Sequence, residues 1–211
     1  SSLHKDTVFI ADVKSTGLFA TDPVLIKNGA KTDFWKTGHS YIKRRVTDLK
    51  ALAGFEKSGH FFFNAPIGRG YDDGLVTALC VLDMLDRNPG KSMADLYRAL
   101  PTTYGSPTMA PHCPDELKYG VVDRIVAKIQ DMQAKGVKIA GQAITNVVTV
   151  NGVRVSVEDG TWGLVRASSN KPELVVVVES PVSETRMHDM FEAVNVVLRQ
   201  HPEVGAYNQT I

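Results

Sequence analysis

The sequence predicts an α/β first half followed by an α+β second half. The run Thr7–Val13 is short and mostly apolar, as in a strand buried on both faces of a sheet. In the second half, apolar runs separated by turn signals lie between two amphipathic helical patterns. That order predicts a small antiparallel sheet of about four strands with helices on one face.

Composition limits the possible functions. The chain has 211 residues, of which 43% are hydrophobic and 22% charged, which is ordinary for a globular protein. The net charge of +1 supports neither a nucleic-acid nor a membrane partner, so an anion site must be a local cluster. No apolar run approaches the ~18 residues of a membrane span, and the N-terminus has no signal-peptide pattern.

Two cysteines, Cys80 and Cys113, lack the spacing of a zinc site or a redox pair. Cys80 lies within an apolar helical run and is expected to be a buried small hydrophobe. A reduced, cytoplasmic protein is the simplest interpretation of this cysteine usage.

Polar residues follow the first strand and begin the next helix. Lys14 comes just past the strand end, where open α/β sheets bind ligands, although a plain surface loop fits as well. Further on, Thr37 or Ser40 is a candidate cap for a helix whose N-terminus would attract an anion. His39 lies between them and is equally consistent with a packing role.

A second polar loop, Glu56-Lys57-Ser58-Gly59-His60, precedes an aromatic strand. Glu56 and Ser58 supply acceptors, His60 supplies a donor or acceptor, and Gly59 is expected to permit a close backbone approach. Sugar hydroxyls are bound by such mixed pairs, because each hydroxyl both donates and accepts. The alternative is a loop whose charged side chains face water.

An almost wholly apolar helix is predicted from Leu75 to Leu85. Asp72-Asp73 precedes it, and an N-cap role is favoured over a metal site. Ser92 to Asp95 resembles a capping box that starts a short helix. Because the chain begins almost at its first strand, we expect the start of a domain to be missing.

Prolines and glycines between Gly105 and Pro114 predict a domain boundary there. Beyond it, Asn151-Gly152 predicts a hairpin turn, and a last helix is predicted from Ser183 to Leu198. An amphipathic helix is also predicted just after the boundary, with an inward face formed by Val122, Ile125, Val126, Ile129 and Met132. The inward face of the last helix is formed by Met187, Met190, Phe191, Val194 and Val197.

Between the last two predicted strands lies a loop rich in hydrogen-bond donors, which we call the donor loop. Its side chains are those of Arg166, Ser168, Ser169, Asn170 and Lys171, and none of them is acidic. A forked guanidinium, an ammonium, hydroxyls and a carboxamide suit a phosphate dianion. An exposed hairpin loop, polar because loops are polar, is the alternative.

Four sequence blocks taken together resemble the C-terminal part of the α-D-phosphohexomutases, closest to the bacterial phosphomannomutase/phosphoglucomutase branch. They occur in the family's order and cover nearly the whole chain: Asp12-Val13-Lys14, Trp35-Lys36-Thr37-Gly38-His39-Ser40, Glu56-Lys57-Ser58-Gly59-His60 and Gly163-Leu164-Val165-Arg166-Ala167-Ser168. The resemblance implies that residues 1–105 are a partial third domain of three α/β/α layers, without its first strand and helix. Residues 106–211 would be the C-terminal α+β domain.

The family's reaction moves phosphate between the C1 and C6 oxygens of a hexose through a hexose 1,6-bisphosphate. The resemblance implies that Glu56 and Ser58 bind sugar hydroxyls, with Lys14, His39 and His60 lining the same cleft. Arg166 and Ser168 would bind the phosphate that is not transferred. The donor loop departs from the branch, which usually continues Asn-Thr-Thr-Pro where this chain has Ser169-Asn170-Lys171-Pro172.

The family's phosphoserine loop and its aspartate-rich metal loop are absent from this sequence. Mg²⁺ is therefore expected for the intact enzyme only, with ligands outside this chain, and this piece alone is expected to be inactive. Its expected partners are hexose phosphates and the missing N-terminal domains. Alternatives are a non-enzymatic phosphosugar-binding or anion-binding module and an acetylglucosamine-phosphate mutase of the same superfamily.

Overall fold

Strand β1 (Val8–Asp12) forms the middle of the parallel part of the first sheet. We describe residues 5–211 of a computed structural model of the chain. The chain divides into two units, Ser1–Thr102 and Thr103–Ile211. Within the described residues of the first unit, β1 pairs in parallel with β2 (Lys31–Trp35) and β3 (Ala53–Phe55).

Two short antiparallel strands extend this sheet, which has the order β2-β1-β3-β4-β5. They are β4 (Phe61–Phe63) and β5 (Tyr71–Asp72). The helices are α1 (Leu18–Thr21), α2 (Pro23–Lys27), α3 (His39–Asp48), α4 (Gly74–Asp86) and α5 (Met93–Arg98).

Helix α3 covers one face of the first sheet. Its residues Ile42 and Val46 are fully buried against Ile10 and Phe62. Gly54 allows this close packing, because a Cβ there would lie 2.6 Å from Ile42 Cγ2. The helix can therefore pack close to the sheet, because residue 54 has no side chain.

Phenylalanine rings cover the opposite face of the sheet. Phe55 lies at their centre, with its ring 6.0 Å from that of Phe9, 5.1 Å from that of Phe19 and 5.5 Å from that of Phe61. All four rings are only partly buried. One pair is tilted, one stacked and one edge-on, and such pairs contribute about 0.5–1.5 kcal/mol each beyond the area they bury.

Helix α4 buries none of its side chains, although its sequence is almost wholly apolar. Leu75, Leu79 and Leu82 are all exposed. The expectation that Cys80 is buried is wrong, since it is only half-buried. Its side chain lies on a helix that packs too little against the sheet to enclose it.

The predicted starts of α4 and α5 are confirmed. The Asp73 carboxylate accepts hydrogen bonds from the Leu75 and Val76 amides at 3.0 Å each, so it caps α4. Ser92 and Asp95 form the reciprocal bonds of a capping box at the start of α5. Asp72 belongs to β5 instead of the cap.

The second sheet is antiparallel, with the order β6-β10-β9-β8-β7 in the described residues. Its strands are β6 (Tyr104–Gly105), β7 (Ile144–Val148), β8 (Val153–Val157), β9 (Trp162–Ala167) and β10 (Leu174–Ser180). Four of them match the prediction, and the two-residue β6 is an addition at the edge. No helix among residues 5–211 is long and apolar enough to cross a membrane.

Helices α6 (Lys118–Ala134) and α7 (Glu184–Leu198) pack on one face of this sheet, as predicted. The predicted α7 stripe is buried throughout, and in the α6 stripe Val126 and Met132 are partly buried. Gly163 lets α7 approach β9, because a Cβ there would lie 2.8 Å from Val194 Cγ2. Adding a side chain at this position would force the helix away from the strand.

The Pro-rich segment in which we predicted a domain boundary runs beside β10. Met109 forms an isolated β-bridge with Val176, and His112 forms one with Glu173. Met109 and Cys113 are buried in the core of the second unit. The first residues after Gly105 are thus part of this unit's packing.

A network of charged groups joins the start of α7 to two loops of the second unit. Arg186 Nε donates to Asp159 Oδ2 at 2.8 Å, and Arg186 Nη1 donates to the Ala140 carbonyl at 2.9 Å. Burial alone would raise the pKa of Asp159, but hydrogen bonds from Thr161 and the Arg186 charge outweigh it, so its pKa lies below the ordinary value. The ionised carboxylate is therefore favoured by folding.

We expect Asp159→Asn to lower the free energy of unfolding at pH 7 by about 1.5–3 kcal/mol, because a hydrogen-bonded charge is lost. A depressed carboxyl pKa stabilises the fold above the unfolded value of about 3.9 and stops doing so as the pH falls through the folded value. The gap between variant and wild type should therefore close as the pH falls below about 4.

Urea unfolding followed by circular dichroism at several pH values measures this. Asp131→Asn is the matched control, since the Asp131–Lys135 pair is exposed on α6 and should contribute little. An Asp159→Asn deficit that stays constant down to pH 2.5 would contradict the assignment.

Candidate functional site

Three loops of the first unit lie at one edge of its sheet. They follow β1, β2 and β3, and the carboxyl ends of parallel strands share an edge. This topology brings Lys14, the start of α3 and the Glu56–His60 loop to the same edge. These are the loops in which the sequence predicted ligand-binding residues.

A fully buried carboxylate, that of Asp12, ties the three loops together. Ser15 Oγ donates to Asp12 Oδ1 at 2.6 Å, and Thr37 Oγ1 donates to Asp12 Oδ2 at 3.1 Å. The amide of Lys57 donates to Asp12 Oδ1 at 3.3 Å. Each loop thus has at least one bond to the same side chain.

Glu56 makes a second link, between the Glu56–His60 loop and the start of α3. Its carboxylate is almost buried, and Oε1 accepts a hydrogen bond from the Gly38 amide at 2.7 Å. Gly38 is the N-cap residue, has a φ of 132° and provides no side-chain cap. The prediction that Thr37 or Ser40 caps this helix is therefore wrong: Thr37 turns to Asp12, and Glu56 takes the cap amide.

The rest of the Glu56–His60 loop presents mixed donors and acceptors. Ser58 Oγ lies 2.8 Å from His60 Nδ1, and His60 Nε2 lies 3.8 Å from Asp72 Oδ2. Ser58 is exposed and His60 is half-exposed, so both can reach a ligand. Gly59 has a φ of 89°, which favours glycine, and open space where a Cβ would be.

Two further predicted residues lie at the same edge. The Lys14 ammonium is 4.0 Å from Asp12 Oδ2, and its side chain is mostly buried. The His39 ring packs 5.1 Å from the ring of Phe62, centre to centre, and the residue remains exposed. His39 therefore has the packing contact that was its alternative role, with one side open to solvent.

The donor loop joins β9 to β10 in the second unit. Val165 and Ala167 face the helices, so by alternation along the strand Arg166 points to the other face. Arg166 Nη1 donates to the Ala167 carbonyl at 2.8 Å. Ser168 is buried and its amide donates to the Glu173 carbonyl at 3.0 Å, whereas Ser169, Asn170 and Lys171 are exposed.

The predicted β7–β8 turn supports Arg166 from behind. Gly152 has a φ of 74°, and a Cβ there would lie 2.2 Å from the Val165 carbonyl oxygen and 2.7 Å from Arg166 Cα. The turn therefore lies directly against the main chain of Val165 and Arg166. Only glycine fits at that distance.

No metal site emerges among the described residues. In the range 5–211, no three His, Cys, Asp or Glu side chains come together as ligands.

Both cysteines are free, and burial raises the pKa of the Cys113 thiol, with the Glu203 charge adding to it. A thiol with a raised pKa is a poor nucleophile.

Comparison with known proteins identifies both units. Residues 1–104 match the family model of the phosphoglucomutase/phosphomannomutase α/β/α domain III, and residues 116–196 match that of the C-terminal domain. The chain belongs to the phosphoglucomutase/phosphomannomutase family.

Among its relatives, a Pseudomonas putida phosphomannomutase/phosphoglucomutase is 32% identical over 92% of this chain and 39% of its own length. A Neisseria meningitidis phosphoglucomutase is 32% identical over 88% of this chain and 37% of its own. The crystal structure of a Burkholderia thailandensis phosphoglucomutase/phosphomannomutase family protein superposes with a TM-score of 0.76 at 27% identity, covering 93% of this chain and 38% of that one. The chain thus spans about two fifths of the proteins it matches.

Two residues that hold these loops do not stand out in the sequence. Asp12 occurs only as part of a motif, and local capping propensity favours the neighbours of Gly38. For Asp12 a signal existed, since a carboxylate that ends an apolar strand needs partners.

We expect Asp12→Ala to lower the free energy of unfolding by about 1–3 kcal/mol for each polar group left buried and unpaired. Amide resonances of residues 37–39 and 56–60 should shift, because both loops lose their common acceptor. Two-dimensional NMR and urea unfolding test this. Asp48→Ala, at an exposed ion pair on α3, is the control. Shifts confined to residues 11–16 would show that Asp12 does not link the loops.

Proposed function

We propose that this chain is the C-terminal portion of a hexose-phosphate mutase that interconverts mannose or glucose 1-phosphate and 6-phosphate. Family membership supports the reaction class, and the names of the relatives support the substrates. The observation that carries the proposal is the donor loop, because its donors lie together at the end of β9 with no acidic side chain among residues 166–171.

In this proposal the first unit binds the sugar. Ser58, which is exposed, pairs with a hydroxyl, and Glu56 Oε2, which lies 3.7 Å from His60 Nδ1, accepts from a second hydroxyl beside that ring. His60 orients Ser58 through the 2.8 Å contact. Lys14 and His39 line the same edge of the sheet.

The second unit binds the phosphate that is not being transferred. Arg166 supplies the forked donor, Ser168 a hydroxyl held by burial, and Ser169, Asn170 and Lys171 the exposed donors. A clamp of this kind accepts either phosphate of a hexose 1,6-bisphosphate. The intermediate could therefore be held in both orientations, which keeps the reacting groups close.

We propose that the ligands of Mg²⁺ lie outside this chain. No cluster of three suitable side chains occurs between residues 5 and 211, so the described residues do not fit such a site. The ligands of the metal would belong to the N-terminal domains of the intact enzyme. A cytoplasmic location likewise stays a prediction.

The test of the proposal is complementation. Fusing the N-terminal part of the Pseudomonas putida relative to this chain should restore mutase activity toward glucose 1-phosphate and mannose 1-phosphate. A binding module that merely senses a phosphosugar would bind glucose 6-phosphate, yet the fusion would remain inactive. An acetylglucosamine-phosphate mutase would show activity only with the acetylated sugar phosphate.

In the active fusion we expect Arg166→Ala to lower kcat/KM by roughly ten- to a hundredfold, because a charge-assisted contact is worth about 1.5–3 kcal/mol. The same change in this chain alone should weaken binding of inorganic phosphate in titration calorimetry. Lys128→Ala, exposed on α6, is the control and should change neither value. An unchanged kcat/KM for Arg166→Ala would remove the clamp.

Glu56→Ala should weaken binding of the sugar and leave bare phosphate binding intact, since the two contacts lie on different units. Competition of glucose 6-phosphate and inorganic phosphate for the chain measures the ratio of the Kd of glucose 6-phosphate to the Kd of inorganic phosphate, which should rise. Lys57→Ala, at an exposed side chain in the same loop, serves as the comparison. Equal loss of both ligands would contradict a sugar-specific role.

A further inference from the structure

Lys118 is a buried lysine at the first position of α6. Its side chain is only 4% exposed. Nζ donates to Asp115 Oδ1 at 2.6 Å and to the Lys171 carbonyl oxygen at 3.0 Å. An ammonium group is costly to bury, so these two bonds define its position closely.

The Lys171 carbonyl belongs to the donor loop. It also accepts a hydrogen bond from the Glu173 amide at 2.8 Å. The next carbonyl, that of Pro172, accepts from the Cys113 amide at 2.9 Å. Both carbonyls of the loop's second half are therefore held by donors of the same unit.

The direction of these carbonyls matters for an anion site. A carbonyl oxygen is the negative end of a peptide dipole and repels phosphate, whereas amides and cationic side chains attract it. A loop that binds phosphate must keep its carbonyls turned away from the ligand. The Lys118 ammonium holds one of these carbonyls, that of Lys171, toward the start of α6.

We propose that Lys118 is a positioning residue for the phosphate-binding donor loop. This inference rests on the proposed function of residues 166–171. The ammonium keeps the Lys171 carbonyl directed toward the start of α6, which leaves the side chains of Ser168 to Lys171 to face the phosphate. Asp115 balances the charge of Lys118, so the effect is one of geometry and not of a long-range field.

The decisive variant is Lys118→Met, which keeps the length of the side chain and removes both hydrogen bonds. The remaining partner, Asp115, is 65% exposed, so water can solvate its carboxylate once the ammonium is gone, and the Lys171 carbonyl keeps its bond from the Glu173 amide. We therefore expect a melting temperature close to that of wild type together with at least tenfold weaker binding of inorganic phosphate and glucose 6-phosphate. A residue that only supported the fold would lose stability and binding together.

Lys128→Met is the matched control, because it makes the same charge change at an exposed position of the same helix. It should leave both Kd values unchanged. Asp115→Asn keeps the bond to the Lys171 carbonyl and should retain binding within about threefold of wild type. Should Lys118→Met fail to fold, Lys118→Gln, which is neutral and shorter, is titrated instead and should weaken binding at least threefold.

The outcomes separate the two proposals. If wild type binds phosphate, Arg166→Ala does not, and Lys118→Met binds as wild type does, the role of Lys118 is refuted and the clamp stands. If wild type and Arg166→Ala bind phosphate equally, the clamp is refuted and the role of Lys118 falls with it. Weak binding by Lys118→Met at full thermal stability, with shifted amide resonances confined to residues 168–173, supports the inference.

Discussion

A buried charged side chain anchors a loop in each unit of this chain. In the first unit the Asp12 carboxylate accepts bonds from three loops, and in the second the Lys118 ammonium donates to the donor loop. A charge removed from water must satisfy its hydrogen bonds nearly completely, so it tolerates few arrangements of its neighbours. The bonded loops are therefore limited to few backbone conformations, although their own sequences are short and polar.

The anchors differ from the residues that we propose to bind ligands. Asp12 and Lys118 are hidden, whereas Ser58, Asn170 and Lys171 are exposed. Exposed side chains alone would lose rotamer freedom on binding a small anion. Fixing the backbone beneath them reduces that cost, because part of the order exists before the ligand arrives.

Much of the fold could be predicted from local patterns. The stripes of α6 and α7 and the caps of α4 and α5 depend on residues close in sequence. The start of α3 could not, because Gly38 is bound by Glu56, eighteen positions away in a loop of its own. Local capping propensity points to Thr37 and Ser40, and a tertiary contact overrides it.

Other differences have the same origin. The segment after Gly105 lacks periodicity and carries prolines, yet isolated bridges to β10 need neither alternation nor a long run. A lysine at the start of a helix normally faces solvent, so nothing local marks Lys118 as buried. For α4, the apolar sequence indicates burial, but its packing against the rest of the first unit leaves its leucines exposed.

The close contact between Gly152 and the backbone of Arg166 has a consequence for how this protein can change. Any side chain at position 152 would have to displace either the turn or the main chain of β9 at Val165 and Arg166. Position 152 is therefore closed to every residue but glycine, and the β7–β8 hairpin can vary in sequence only where its turn keeps this conformation.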